Sequence, residues 1–337
     1  MSNFDSQLEV LQVAWREAHV PTRAMGKHAG RERQWILPED DWELGLWPGI
    51  RTGGAQPVAE YLERNGVQRH TGSNNLKSSW VLCANLYFTF GAAAAGRELL
   101  ATFLKSRAFD GIDSVDSVEL EFAADGDLHP SNLLGEEGGS RGSGQTSPDV
   151  AFIVNGGRGI VLTESKLAEH SFYDCSARTR MSTPRRDGNP DPSRCSDAIA
   201  VLDNPQGRCH QLHWGRRYLT ILAPIASREA WRSLSSCPAA RAGYQLLRQQ
   251  ALAEGMAGSG KYDFVVSCVA RDARNETLAT SLRATGIDSI EAWGTLFQGR
   301  ARFATFTHQE WFQWVKAADA PQFGDWVDWV GARYEFD

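Results

Sequence analysis

The apolar positions along the chain fall into blocks of different period, and each block predicts its own element. From Ser79 to Leu104 the run SWVLCANLYFTFGAAAAGRELLATFL is apolar on every side, which predicts one buried helix or a pair broken near Gly91. SVDSVELEF alternates between apolar and polar residues and predicts a strand over Val118–Phe122. In PDVAFIVNGGRGIVLTESK two β-rich runs flank Gly156-Gly157, a dipeptide suited to the positive φ angles of a tight turn, so a hairpin is predicted. Downstream, RRYLTILAPI predicts a strand, AGYQLLRQQALAEGM a helix, YDFVVSCVA and ARFATFT two strands, and HQEWFQWVKAA a helix before a Trp-rich end. Upstream, MSNFDSQLEVLQVAWREAHV predicts an amphipathic helix with Leu8, Leu11, Val13 and Trp15 on its apolar side, and VAEYLERNG a short helix. The mixed order of helices and strands predicts an α/β fold.

Composition narrows the function classes. The 337 residues suffice for a sizeable core, and 42% hydrophobic with 23% charged residues is ordinary for a globular protein. No stretch reaches the roughly 18–20 apolar residues of a membrane span, and the acidic N-terminus lacks the basic region of a signal peptide, so a cytoplasmic protein with no membrane partner is expected. A net charge of −6 argues against a protein that coats nucleic acid non-specifically, but leaves room for a locally basic cleft. Between Ser171 and Thr220 eight arginines stand against five aspartates, so this stretch is either a phosphate-recognition surface or a solvated Arg-rich loop.

The hairpin brings chemistry together. With Gly156 and Gly157 at its centre, Val154 faces Gly159 and Asp149 faces Glu164, and directly opposed residues have Cβ atoms about 4.5–5.5 Å apart. Lys166, two residues beyond Glu164, shares that face. Two facing carboxylates repel unless something positive stands between them. Along this face lie Ala151, Ile153, Ile160 and Leu162, so the acids sit at the rim of an apolar surface. A hard divalent cation beside Lys166 resolves the conflict.

Pro148-Asp149 followed by Glu164-Ser165-Lys166 resembles the signature of the PD-(D/E)XK nuclease superfamily, and the order of predicted elements is similar to its αβββαβ core. Within that superfamily the chain is similar to restriction-endonuclease-like proteins with a Lys-Ser-Ser helix start, a following Asn and a Tyr-Gln-x-x-Arg helix, here Lys77-Ser78-Ser79, Asn85, and Tyr244-Gln245 with Arg248. The resemblance implies a helical N-terminal extension (1–75) and a nuclease domain (76–337) carrying a Cys/Arg-rich insert (167–237), with further N- and C-terminal elements around the core. It implies Mg²⁺ or Mn²⁺ on Asp149 and Glu164, and Lys166 orienting or deprotonating the attacking water or neutralising the transition state. A third acid is expected from Glu121, with Glu98 and Glu119 as alternatives. Gln245, or Arg248 on the same helix face, would contact the substrate or support the lysine, and Arg216 and Arg217 would contact nucleic acid.

The expected function is therefore metal-dependent hydrolysis of phosphodiesters, in DNA, in a defence or repair setting. A nuclease-fold module that binds without cutting is the alternative. No Walker P-loop is present, so translocation would need a separate helicase or NTPase, or another defence-system partner; a homodimer is also compatible.

Six cysteines in a cytoplasmic chain argue against disulfides. Cys83 and Cys268 read as buried small hydrophobes. Cys175, Cys195, Cys209 and Cys237, separated by 19, 13 and 27 residues, lie in or at the end of the insert and lack the close pairs of zinc fingers. Four free thiols and one soft-metal site are both open from spacing alone. Other branches of the superfamily hold such an insert with an iron–sulfur cluster, although commonly with one cysteine ahead of the nuclease motifs, and zinc with His210 or His213 as a substitute ligand is the alternative.

Overall fold

The computed structural model describes residues 3–52 and 56–336. An opening helix α1 (Asn3–His19) leads to a small hairpin of β1 (Gly26–His28) and β2 (Arg31–Arg33), then to α2 (Val58–Arg64). The all-round apolar run becomes α3 (Ser79–Tyr87) and α4 (Ala94–Arg107), separated by a 3₁₀ turn over Phe88–Gly91. Ser78 caps α3 by accepting from the Val81 N–H. Trp80 to Tyr87 are all buried, so α3 has no polar face because no side of it meets water.

A five-stranded mixed sheet follows, in spatial order β3 (Val115–Leu120), β4 (Val150–Val154), β5 (Gly159–Lys166), β6 (Phe264–Arg271) and β7 (Arg302–Thr307). The first three strands are antiparallel neighbours, while β5, β6 and β7 run parallel. The hairpin register is the expected one, Val154 opposite Gly159 and Val150 opposite Thr163, with Gly156 and Gly157 both at positive φ. β5 is the central strand and every one of its residues is buried, Glu164, Ser165 and Lys166 included.

Strand alternation sends side chains into two cores. Phe152, Val161, Val266 and Phe306 pack with α3, α4 and the C-terminal helices. Ala151, Ile160, Leu162 and Val269 pack beneath α5 (Tyr244–Gly258) and the insert. Helices α6 (His308–Ala317) and α7 (Gly324–Tyr334) clamp α3: the indoles of Trp311 and Trp326 donate to the carbonyls of Leu86 and Asn85, each at 2.8 Å. The N-terminal segment joins the same core through Leu8, Trp42 and Leu46. Arg333 of α7 is fully buried against Trp15, Trp329 and Tyr334, and hydrogen-bonds the Gly45 carbonyl. Among the described residues no helix is long and apolar enough to cross a membrane.

Two expectations are corrected. RRYLTILAPI forms no strand; it folds as a short helix (Tyr218–Leu222) and a 3₁₀ turn (Ala223–Ile225). Tyr218, Leu219 and Leu222 are its buried residues, a helical spacing that the β-branched Thr220 and Ile221 between them obscure. The strand expected over Val118–Phe122 begins earlier, at Val115, and ends at Leu120, because Glu121 turns to φ +48°.

Trp326→Ala removes a fully buried indole together with its bond to Asn85 and leaves a large cavity beside α3. A loss of about 3–5 kcal/mol is expected, read as a lowered midpoint in denaturant unfolding at unchanged slope.

Candidate active site

The open end of the hairpin is held by backbone bonds that also fix its acids. Glu121 and Phe122 donate their N–H groups to the carbonyls of Asp149 and Pro148, at 3.0 and 3.1 Å. This pairing lets Glu121 leave the strand in the left-handed region and turn toward Asp149. Non-glycine residues adopt that conformation at a cost, and only where surroundings enforce it. Arg141 supplies the enforcement: its guanidinium donates to the carbonyls of Glu121 and Leu120 and to the hydroxyl of Tyr61. The loop carrying Arg141 lies against this turn and against the segment at Gln68, for a Cβ on Gly142 (φ +79°) would come within 3.4 Å of the Glu121 side chain and 2.5 Å of the Gln68 carbonyl.

Glu121, Asp149 and Glu164 line one cleft of about 150 Å³, with Gln145, Gln245 and Arg248 on its other side and His70 at its edge. The Asp149 carboxylate accepts from the Ser165 N–H at 2.7 Å, and Lys166 donates to Glu164 at 2.5 Å. Lys166 lies only 3% exposed, over the rings of Phe172 and Tyr173. Behind the strand, His308 is wedged between the Tyr87 hydroxyl (2.7 Å) and the Lys166 carbonyl (3.2 Å), and burial pushes its pKa down to about 4, so it is neutral at physiological pH. His70 also borders a larger groove of about 1020 Å³ with Trp35, Lys77 and Tyr173 among its walls.

The electrostatics of the cleft are those of crowded acids. Burial, followed by the charges of its neighbours, raises Glu121 well above the ordinary carboxylate range, Asp149 and Glu164 being the neighbours. Asp149 is raised for the same reasons, with Glu164 its main opponent. Burial works against the charge on Lys166, but Glu164, Glu169 and Asp149 outweigh it and hold the ammonium above its usual pKa.

Gln245 and Arg248 sit one turn apart on α5, and both line the cleft. The Gln245 side-chain oxygen and both polar atoms of the Gln145 side chain are buried without a hydrogen-bond partner beside the cleft that both residues line. Arg248 is anchored by Thr146 at 3.0 Å and by Glu136 at 3.5 Å. Glu136 was not anticipated: it lies in a Gly/Ser/Asp-rich stretch with no periodicity, yet it is buried and also accepts from Tyr218 and Thr146. Of the alternatives to Glu121, Glu98 is exposed on α4, and Glu119 is paired with Arg141 at 3.2 Å.

Other expected positions are placed differently. Arg216 is 4% exposed, its guanidinium held by the Gly135 carbonyl and Glu137, so it ties the insert to the loop before the hairpin and faces no open surface. Arg217 is exposed. Asn85 is a structural residue, bonded to Trp47, Gly45 and Tyr334, and Lys77 pairs with Asp5 and Glu9 of α1. Cys83 and Cys268 are fully buried, as anticipated. Cys175, Cys195, Cys209 and Cys237 line a second, enclosed pocket under the insert, where burial pushes the thiols of Cys175 and Cys209 up to about 11 and about 12.

Among the described residues, no group of three or more His, Cys, Asp or Glu side chains has its donor atoms set as a bound metal ion would require. Protein partners hold these groups instead, Ser165 on Asp149, Lys166 on Glu164 and Gln211 on Cys175. The donor chemistry of the cleft nonetheless fits a hard cation. Three carboxylates crowd one cleft, and burial followed by their mutual repulsion pushes Glu121 and Asp149 toward protonation, a penalty that a bound cation would relieve.

A family model described as "Restriction Endonuclease associating with ARP" (REase-ARP) matches residues 10–335. No curated protein and no solved structure matches the chain.

The raised carboxyl of Asp149 gives a signed stability test. A carboxyl that holds its proton more tightly folded than unfolded costs stability as pH rises from its unfolded value through its folded one. Asp149→Asn keeps an oxygen for the Ser165 N–H and removes the charge. In EDTA at pH 7.5 the variant should melt higher than the parent by about 2–4 °C, the span that roughly 1 kcal/mol gives a large domain. The gap should close toward pH 5; a lower melting temperature at both pH values would contradict the crowding.

Proposed function

Because the chain belongs to the REase-ARP family over nearly its whole length, we propose that it is a metal-dependent nuclease that hydrolyses phosphodiester bonds in DNA. The observation that carries this reading is the meeting of Glu121, Asp149 and Glu164 in one cleft, with Lys166 on Glu164 and Arg248 across from them. Asp149 and Glu164, joined by Glu121, would hold Mg²⁺ or Mn²⁺. A cation held by these carboxylates would supply Lewis-acid activation of the scissile phosphate and of a water.

The remaining work falls to the chain's own side chains. Lys166, buried against aromatic rings and fixed by Glu164, directs its ammonium at charge that builds on the phosphoryl oxygens, and it orients the attacking water. Arg248 offers the guanidinium edge left by Thr146 and Glu136 to a substrate phosphate. Gln245 and Gln145, which line the cleft with polar atoms that no protein group satisfies, would rotate to meet substrate or its water. The Ser165 hydroxyl, on the Ser79 carbonyl, and His308, on the Lys166 carbonyl, hold the motif strand from behind. The groove beyond His70 gives a polymer a path out of the cleft, walled by Trp35 and Tyr173. The family description names association with ARP, and a partner answering to that name is the natural source of targeting for a chain without a motor module.

Purified protein should cut linear or circular DNA with Mg²⁺ or Mn²⁺ and fall silent in EDTA. Asp149→Ala and Glu164→Ala should abolish cleavage while the fold is kept; full activity in either would end this reading.

Lys166→Ala should keep DNA affinity in Ca²⁺ yet lose turnover by at least about 100-fold. Equal losses of affinity and rate would make Lys166 a phosphate contact alone.

A further inference from the structure

Four cysteines widely spaced in sequence meet at one place. Cys175, Cys195, Cys209 and Cys237 line a single enclosed, apolar pocket of about 20 Å³, closed by Ala177, Val201 and Leu247. The backbone locks the cysteine-bearing segments to one another: the Cys237 N–H donates to the Cys195 carbonyl at 2.8 Å, and the Cys175 N–H to the Ala239 carbonyl at 3.0 Å. All four remain free thiols. Packing alone does not call for four sulfurs around one space, since alanine or valine would fill it with less reactive atoms. Soft thiolates gathered in this way suit a soft metal.

The pocket is wired to the cleft by two short routes. Gln211 donates to the Cys175 sulfur at 3.3 Å and to the Tyr244 hydroxyl at 2.9 Å, and the Tyr244 ring lies under the Arg248 guanidinium at 5.4 Å. Tyr218 lines the pocket, and its hydroxyl donates at 2.7 Å to Glu136, the carboxylate that anchors Arg248. Both routes end on the same arginine.

We propose that these four cysteines bind one thiolate-ligated soft-metal centre, and that its occupancy sets the position of Arg248 through Tyr218–Glu136 and Gln211–Tyr244, so that metal loading governs phosphate binding in the cleft. Its second half rests on the nuclease reading; its first half does not. Binding draws the four sulfurs inward onto a single ion or bridges them with a small cluster, and either movement is passed to Tyr218 and Gln211. Tyr218 and Gln211 are positioning residues, acting on substrate through Arg248.

Anaerobically purified full-length protein is to be analysed for zinc, iron and acid-labile sulfide. About one zinc, or iron with matching sulfide, is expected, and the two outcomes identify the centre. Cys→Ser at any of the four should lose it. Protein without either metal, whose thiols all titrate, overturns the site.

The coupling is then read on variants that keep the cysteines. Tyr218→Phe and Gln211→Ala should retain the metal, yet weaken binding of a fluorescein-labelled duplex in Ca²⁺ by about 3- to 10-fold, the size of one lost hydrogen bond to a charged or polar partner. In cleavage the same change should fall on KM, with kcat held within twofold. In an Arg248→Ala background Tyr218→Phe should add nothing further, as expected for two residues acting in one chain of contacts. Multiplying effects, or metal removal that leaves affinity unchanged, overturns the coupling. A parent protein that holds the metal but neither binds nor cuts DNA would instead sink the nuclease reading and leave the metal site standing.

Discussion

Repulsion among three carboxylates at the end of an apolar sheet is the constraint around which the rest of the molecule is organised. Strand alternation delivers Asp149 and Glu164 to one face, a left-handed Glu121 adds a third acid, and the apolar core beneath them offers no countercharge. Unpaired charges in such a place are costly, and the protein answers with a few cations set at fixed points. Lys166 is buried on Glu164, and Arg248 is pinned across the cleft by Glu136. The balance is left short of neutral on the acidic side, which creates demand for a further positive charge.

Holding that arrangement takes rigid support on both faces of the sheet. On one face α3 is buried all round and clamped by two indoles, while His308 and Ser165 fix the motif strand from behind. On the other, α5 lies across Leu162 and Val269, and Gln249 bonds the Leu162 and Cys268 carbonyls, so Gln245 and Arg248 approach at a height set by the sheet itself. Asp149 borders that frame and Glu164, Gln245 and Arg248 sit on elements packed independently of the cleft, while Glu121 and Gln145 come from the loops that close it.

Much of this was legible in the chain. The Gly-Gly turn and the flanking β-rich runs fixed the hairpin register, and the register alone placed Asp149 across from Glu164. Tyr244, Gln245 and Arg248 could be placed on one helix because their spacing is local. Glu136 and Thr146 could not be found, for they lie in a stretch without period, and their roles depend on contacts about 100 residues away. Within the insert β-branched residues hide a helical spacing, and for Arg216 composition gives the charge without its partner, Glu137. The cysteines were visible as a set, but their meeting depends on how the short helices of the insert fold over α5.

Arg333, sandwiched between Trp15 and Trp329 and bonded to Gly45, joins the last helix to the first. A ribosome delivers the chain from its N-terminus, so α1 and the hairpin with its acids emerge long before α7 exists to close over them. Until then Trp15 lacks its cation, α3 lacks its clamp, and His308 has not arrived behind Lys166. A nascent or truncated chain thus carries the acids of the cleft without the frame that aims them. The frame around the cleft therefore waits on elements encoded about 150 residues after its acids.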